Sequence, residues 1–542
     1  MTPAKNSPDE TPRTSRSVRV TLRLLAAGGC VLLLCCGGCG YRLWKLSDPD
    51  EQITVSPETT FFTEPLTDDG AVDYVAALDA RLSEGVTPEN NAVVLLVQAF
   101  GPGEILEDCR SDYFRRLGIP ELDEEGEYFV HAYDFSQSYD ATGDSEEGSA
   151  LETLHDDLDA ATTNKWKRAD YPLVADLIDQ NEGPLAVIIE ASRRPKYFSP
   201  GTTDSDYGYV WTWYLPIEQE LQRAKEQLAA RAMLRLGEGD LSGSWEDLLT
   251  CHRLARLVGQ SYCLITFHIA VDIDMIARDD VYLADPRVTA ATARRNLAEL
   301  EALPPLPRPA ELVDVFERLA FLDEIRFFVD GGRTRSVQFG EFLGEEVQQQ
   351  PDGGRSLTNA VIDWDIALRM ANEQFDEIVA QLRRETFPER AEGIDKVSRT
   401  IRAYSVPQSI ESLIATSFFA DRETVSRIAG EYFIYNHFPG VSQSNLKESQ
   451  AAARQRLIRI GFALAIHQRE QGEFPESLDA LVPDPLDELP LDPYTSQPFI
   501  YQRTEDAGFR LYSVGENLQD DGGASFDDEP PGDDIIIEVR PE

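Results

Sequence analysis

Two stretches of this 542-residue sequence crowd side chains that could do chemistry. The run from Asp520 to Asp534 holds seven acids in fifteen residues, against about 2.7 expected from composition alone. Carboxylates interleaved with glycines suit a hard divalent cation: calcium takes about six to eight oxygen ligands, and glycine lets the chain wrap around it. The competing reading is a solvated acidic turn in an acidic protein. The second stretch includes "TCH", Thr250 to His252, and "SYC", Ser261 to Cys263, which carry the residue types of a nucleophile and a base. Both fall on apolar helical faces, so His252 reads as a buried core histidine, and His268 as equally suited to packing. "DIDMIARDD", Asp272 to Asp280, puts Asp272 and Asp279 near one helical face with Asp274 apart. That pair could serve acid–base work, but it reads first as a solvated face.

Two further patches have bland and specific readings. Tyr207 to Tyr214 packs five aromatics into eight residues, which could stack a sugar or peptide but suits core filling at a domain junction. Arg193, Arg194 and Lys196 form a basic island that could hold an anion, although ion pairing with acidic surroundings is simpler. No zinc-protease, nucleophile-elbow, phosphate-loop or dinucleotide signature is present in the sequence.

The elements that must position these groups are mostly helices. "TPENNAVVLLVQAFG" reads as a helix capped by Thr87 and stopped at Gly101. Ser136 to Thr163 is acidic and poor in large apolar residues, so it reads as an exposed insertion. From Pro216 to about His437 helical spacing dominates. Leu221, Ala224, Leu228 and Ala232 share one face, and after the turn "GEGD" the pattern repeats with Trp245, Leu248, Leu249, His252 and Ala255. This pair resembles one tetratricopeptide-like hairpin, of which a single copy is legible, so a generic helical domain is expected. The tail begins with a helix whose capping box is Asn445 with Glu448 and which Gly472 ends. Strands "PFIYQR", "FRLYSV" and "DIIIEV" follow. The expected fold is mostly α, with an α+β C-terminal module of one long helix on a three-stranded antiparallel sheet, and an N-terminal transmembrane helix. The expected divisions are 1–47, leader and anchor; 48–215, a mixed α/β domain with its insertion at 136–163; 216–440, helical; and 441–542, the tail module.

Bulk composition narrows the function classes. Fifty basic against ninety-six acidic residues give a net charge of −46, which repels phosphate backbones and argues against nucleic-acid partners. Four of seven cysteines lie within the first forty residues, and Cys109, Cys251 and Cys263 have no metal-type spacing. Arg13, Arg16, Arg19 and Arg23 precede an apolar stretch from Leu24 to about Gly40, just long enough to cross a bilayer. A single-pass signal anchor in the inner (cytoplasmic) membrane is expected, with the bulk of the chain extracytoplasmic (periplasmic). Lipidation at Cys30 or Cys39, or cleavage, would also place the protein outside the cytoplasm.

The tail motifs "G-x-F-P-x-S-L-x-x-L-V", "L-P-x-D-P", "Y-S-V-G" and "D-D-I" occur in order between Asn445 and Val539. In this the tail resembles the globular head of the type II secretion major pseudopilins (G type). The resemblance implies a calcium ion in the loop after the Y-S-x-G strand. The matching positions here are Asn517, Asp520, Asp521, Asp533, and Asp527 or Asp528. A pseudopilin carries its apolar stalk directly before the head, whereas a charged helix precedes this one, so the tail looks like a borrowed head and not a filament subunit. The whole arrangement also resembles large uncharacterised families of single-anchor bacterial exported proteins, which implies no activity.

The expected function is binding or scaffolding at the membrane, with protein partners and a calcium-stabilised tail. The alternatives are an exported hydrolase whose site is assembled from scattered acids and His252 or His268, and an accessory component of a secretion or pilus-like system.

Overall fold

Helix α1 (Ala92–Phe100) begins at Asn91, whose side chain accepts from the Val93 N–H and also exchanges two bonds with the backbone of Phe198. The start is four residues later than the threonine cap expected at Thr87. The computed structural model describes residues 53–140, 149–202, 210, 215–331, 362–407, 420–437, 441–504, 508–526 and 528–540. Within them the protein is mostly helical, 60%, with a C-terminal three-stranded antiparallel sheet. The anchor expected in residues 1–47 lies outside the described residues, as do Asp527 and all of the Tyr207–Tyr214 stretch except Val210. No helix of the described residues is long and apolar enough to cross a membrane.

By its contacts the chain falls into two units. The smaller comprises Met1–Thr54, Phe328–Ala367 and Ser405–Tyr432. Within it the Asp363 N–H donates to Ser426 Oγ at 2.7 Å, and Arg422 donates to the Ile362 carbonyl at 3.3 Å. The larger unit, Val55–Phe327, Leu368–Tyr404 and Phe433–Glu542, holds every residue discussed below.

The reading of 136–163 as an exposed insertion is corrected for its described residues, 136–140 and 149–163. Residues Ala132–Asp140 are helical, and α2 (Ser149–Thr163) buries Leu154, Leu158 and Ala161. Those residues recur at i, i+4 and i+7, a narrow stripe hidden among acids that face solvent. A mixed α/β domain is the expectation for 48–215. Among its described residues are helices, including α3 (Glu182–Ser192), and isolated bridges of Leu66 with Val72 and Asn91 with Lys196, but no strand.

The expected hairpin is present. Pro216 opens α4 (Pro216–Glu238), which ends at Gly239 in the left-handed conformation. Asp240 then caps α5 (Leu241–Val258) by accepting from the Gly243 N–H at 2.9 Å. The anticipated stripes on both helices are buried, and α2 packs on α4. Helices α6 (Leu264–Met275), α7 (Asp279–Ala284) and α8 (Ala290–Glu301) follow, and then α9 (Phe387–Arg402).

The last helix, α10 (Val441–Gln471), starts a turn before the expected capping box. Asn445 is therefore interior and accepts from Arg390 Nε at 2.7 Å, while Glu448 pairs with Arg308 at 2.9 Å. Gly472 ends the helix as expected, at φ 90°. Every residue from Leu457 to Ile466 except Arg459 is buried. A helix apolar nearly all round must be enclosed. Here α6, α7, α8 and α9 pack against α10, together with strands β2 and β3 of the sheet.

That sheet runs β1 (Ile500–Arg503), β2 (Phe509–Ser513), β3 (Ile535–Val539) in spatial order, all antiparallel, with Tyr501 opposite Leu511 and Leu511 opposite Ile537. Its inward residues Phe509, Leu511, Ile537 and Val539 belong to the same hydrophobic core as Leu96 of α1, Leu228 of α4 and Leu254 of α5. The divisions expected at 215 and 440 therefore do not separate cores.

Candidate metal centre

Strands β2 and β3 are neighbours in the sheet, and the acidic run is the long connection between them. Gly515 opens it at φ 65°, where a Cβ would collide with the Asp533 carbonyl, so only glycine permits this closeness. The Asn517 N–H donates to Asp533 Oδ2 at 2.8 Å, and Asn517 Nδ2 donates to Asp521 Oδ2 at 3.0 Å. Gly522 and Gly523, both with positive φ, reverse the chain, and the Gly523 N–H donates to Asp534 Oδ2 at 2.7 Å.

The result is a cluster of three carboxylates. One oxygen each of Asp521, Asp533 and Asp534 lies within 4.8 Å of the others. Asp534 is only 3% exposed, and its Oδ1 and the Oδ1 of Asp533 are buried with no hydrogen-bond partner among the described residues. A buried carboxylate oxygen without a donor costs free energy. Burial, with the charges of Asp521 and Asp520 beside it, pushes the Asp534 carboxyl up to about 6, although the Gly523 N–H opposes the shift. Converging oxygens of this kind suit a hard divalent cation.

No protein-family model, curated protein or solved structure matches the chain.

Of the residues expected in the loop, the structure brings together Asn517, Asp521 and Asp533. Asp520 stands beside them, its Oδ1 accepting from the Tyr512 hydroxyl at 3.0 Å and from the Gly522 N–H at 2.9 Å. Asp528 is turned elsewhere: its Oδ2 accepts from the Ser525 N–H and hydroxyl, and these bonds hold it below the usual carboxylate range. The sequence reading missed Asp534, although "D-D-I" contains it, because an acid opening a buried strand is legible as inward only once the register is known.

The second chemical stretch is arranged differently from its helical-wheel reading. Helix α6 ends at Met275 and α7 begins at Asp279, so the break between them overturns the shared face of Asp272 and Asp279. Instead Asp274 and Asp279 meet at His252, with Nδ1 2.8 Å from Asp274 Oδ1 and Nε2 3.2 Å from Asp279 Oδ2. Arg256 also pairs with Asp274 and donates to the His252 carbonyl at 2.9 Å. Burial alone would lower the imidazole, but Asp279 and Asp274 outweigh it and push His252 up to about 9. Burial likewise opposes ionisation of Asp274, yet Arg256 and His252 hold it well below the usual range. Asp272 stays apart, paired with Lys447 at 2.6 Å, and His268 faces Ser444 Oγ at 3.0 Å.

A second set of metal-ligand types, Glu104, His131 and Glu220, also converges, but Arg223 already pairs with Glu220 at 2.5 Å and Glu104 at 3.9 Å. In the basic island Arg193 makes the expected ion pairs, with Glu190 and Glu246, whereas Arg194 donates to the carbonyls of Pro88 and Asn91. Cys251 and Cys263 are free, buried thiols.

Proposed function

We propose that this is a binding or scaffolding protein, held at the inner membrane by its N-terminal segment with its bulk extracytoplasmic, whose pseudopilin-like C-terminal loop is closed by calcium. One observation carries the reading: three carboxylates converge between β2 and β3, and two of their buried oxygens have no donor. A divalent ion supplies the missing partner and offsets the mutual repulsion, so it favours the native loop over the unfolded chain. The order of tail motifs, and the apolar stretch Leu24 to about Gly40 behind its arginines, support the rest.

The hydrolase reading finds less support. Both ring nitrogens of His252 are engaged by carboxylates, and a protonated imidazole so held cannot act as a general base.

Titration calorimetry on the full-length protein tests the calcium site. Uptake of one calcium ion is expected, with magnesium much weaker and with binding abolished in Asp533→Asn and Asp534→Asn. At a hundredfold excess over Kd the ion should stabilise the protein by about 2.7 kcal/mol. Absence of heat and of any Tm shift at millimolar calcium would remove the reading. Cell fractionation with protease protection checks the location: a cytosolic, protease-shielded chain would contradict it.

A further inference from the structure

A cleft of about 300 Å³ lies against α5, α10, the last residues of α8 and the segment that follows it. Its polar wall consists of His252, Arg256, Glu301, Gln455 and Arg459, and its apolar wall includes Leu303, Pro305 and Ile458. Three of these groups are cationic and one is a carboxylate. Arg459 is paired with Glu301, and His252 and Arg256 with Asp274 and Asp279, so the wall carries no excess charge and its attraction for an anion rests on directed N–H donors. The carboxylates that keep His252 protonated, Asp274 and Asp279, stand behind the wall and do not line it.

The guanidiniums are fixed with donors to spare. Arg256 is 8% exposed and is held by Asp274, by the His252 carbonyl and, at 3.4 Å, by the Pro304 carbonyl through Nε. Its Nη2 has no partner among the described residues. Arg459 gives Nε and Nη2 to the same Glu301 oxygen, at 3.1 and 2.7 Å, and its Nη1 likewise has none. A guanidinium already oriented by neighbours loses little entropy on binding an oxyanion.

We propose that this cleft is a binding site for a small oxyanion, a carboxylate or phosphate group carried on a compact apolar frame. The guanidinium donors take the oxyanion, and the leucine, isoleucine and proline wall covers the frame. The volume is at the small end for ligand pockets, which limits the ligand to a small molecule.

Calorimetry on the full-length protein with benzoate, phenyl phosphate, inorganic phosphate and benzylamine tests this. Benzoate or phenyl phosphate is expected to bind at millimolar concentrations or below, and the tighter of the two identifies the preferred oxyanion. Inorganic phosphate should bind more weakly and benzylamine not at all. Arg459→Gln should weaken binding by about tenfold, the loss of one charge-assisted bond. Glu301→Gln removes the wall's carboxylate and releases Arg459, so it should tighten binding. A variant that merely loosened the fold would weaken binding in both cases. Silence of all three anions, binding of benzylamine equal to benzoate, or affinities unchanged in both variants would overturn the proposal.

Discussion

At His252, burial and charge pull in opposite directions, and the two carboxylates win. Its proton affinity rises from the ordinary 6.5 to about 9, so the folded state holds the proton more tightly than the unfolded chain. The stabilisation is complete below about pH 6.5 and is lost as the pH rises through about 9. Denaturant unfolding should show stability declining across that window; Asp274 and Asp279 meet the ring nitrogens, Arg256 donates to the His252 carbonyl and Gln455 donates to Asp274. In His252→Gln the decline should disappear, at a cost of about 3–5 kcal/mol at pH 6 because Asp274 and Asp279 lose their buried partner. Glu218 is the opposite case. Burial outweighs the Tyr197 hydroxyl, which donates to its Oε1 at 2.9 Å, and pushes the carboxyl up to about 7; its Oε2 has no partner. For an acid this means that the neutral form is native-like: no penalty exists below about pH 4.5, and it grows until about pH 7. Glu218→Gln keeps an acceptor for Tyr197 and should stabilise by roughly 3 kcal/mol at pH 8 but hardly at pH 4, as read by paired melts. Neither environment was legible in the sequence, because both arise where separate segments of the chain meet.

Among the elements, α10 does the most positioning. It carries Gln455, Ile458 and Arg459 to the cleft and forms the floor on which β2 and β3 rest. Its existence was legible from the stripe of Ala453, Leu457, Ile460 and Leu464, all fully buried. Its start was not, because Asn445 and Glu448 have the spacing of a cap yet serve Arg390 and Arg308 from other segments. Gly461 sits inside it, and a Cβ there would meet Leu283 at 3.6 Å and Ile537 at 3.9 Å, ordinary contact distances. Gly461→Ala should therefore stabilise the protein by about 1 kcal/mol, the usual helix-interior difference. Gly237 near the end of α4 offers the contrast: a Cβ would strike the Trp166 carbonyl, so Gly237→Ala should lower Tm. Equilibrium unfolding of both variants checks the pair.

At the scale of the molecule, the tail is part of a larger whole. Residues of α10 and the sheet share one core with α1, α4 and α5, so residues 441–542 expressed alone would expose the apolar surface that α6 to α9 cover. That fragment is expected to show no cooperative melt by circular dichroism, with or without calcium; a sharp transition would show that the tail folds by itself.

By itself the sequence determined the helical class, the hairpin of α4 and α5, the three strands and the concentration of acids between two of them. These follow from local periodicity, turn residues and composition, which need no distant partner. Only the tertiary structure decided that Asp534 joins Asp521 and Asp533, that Asp274 and not Asp272 reaches His252, and that an acidic stretch hides the buried stripe of α2. Each of those outcomes depends on strand register, on a helix break or on the packing of elements far apart in the chain, where burial and neighbouring charge, not residue type, set what a side chain does.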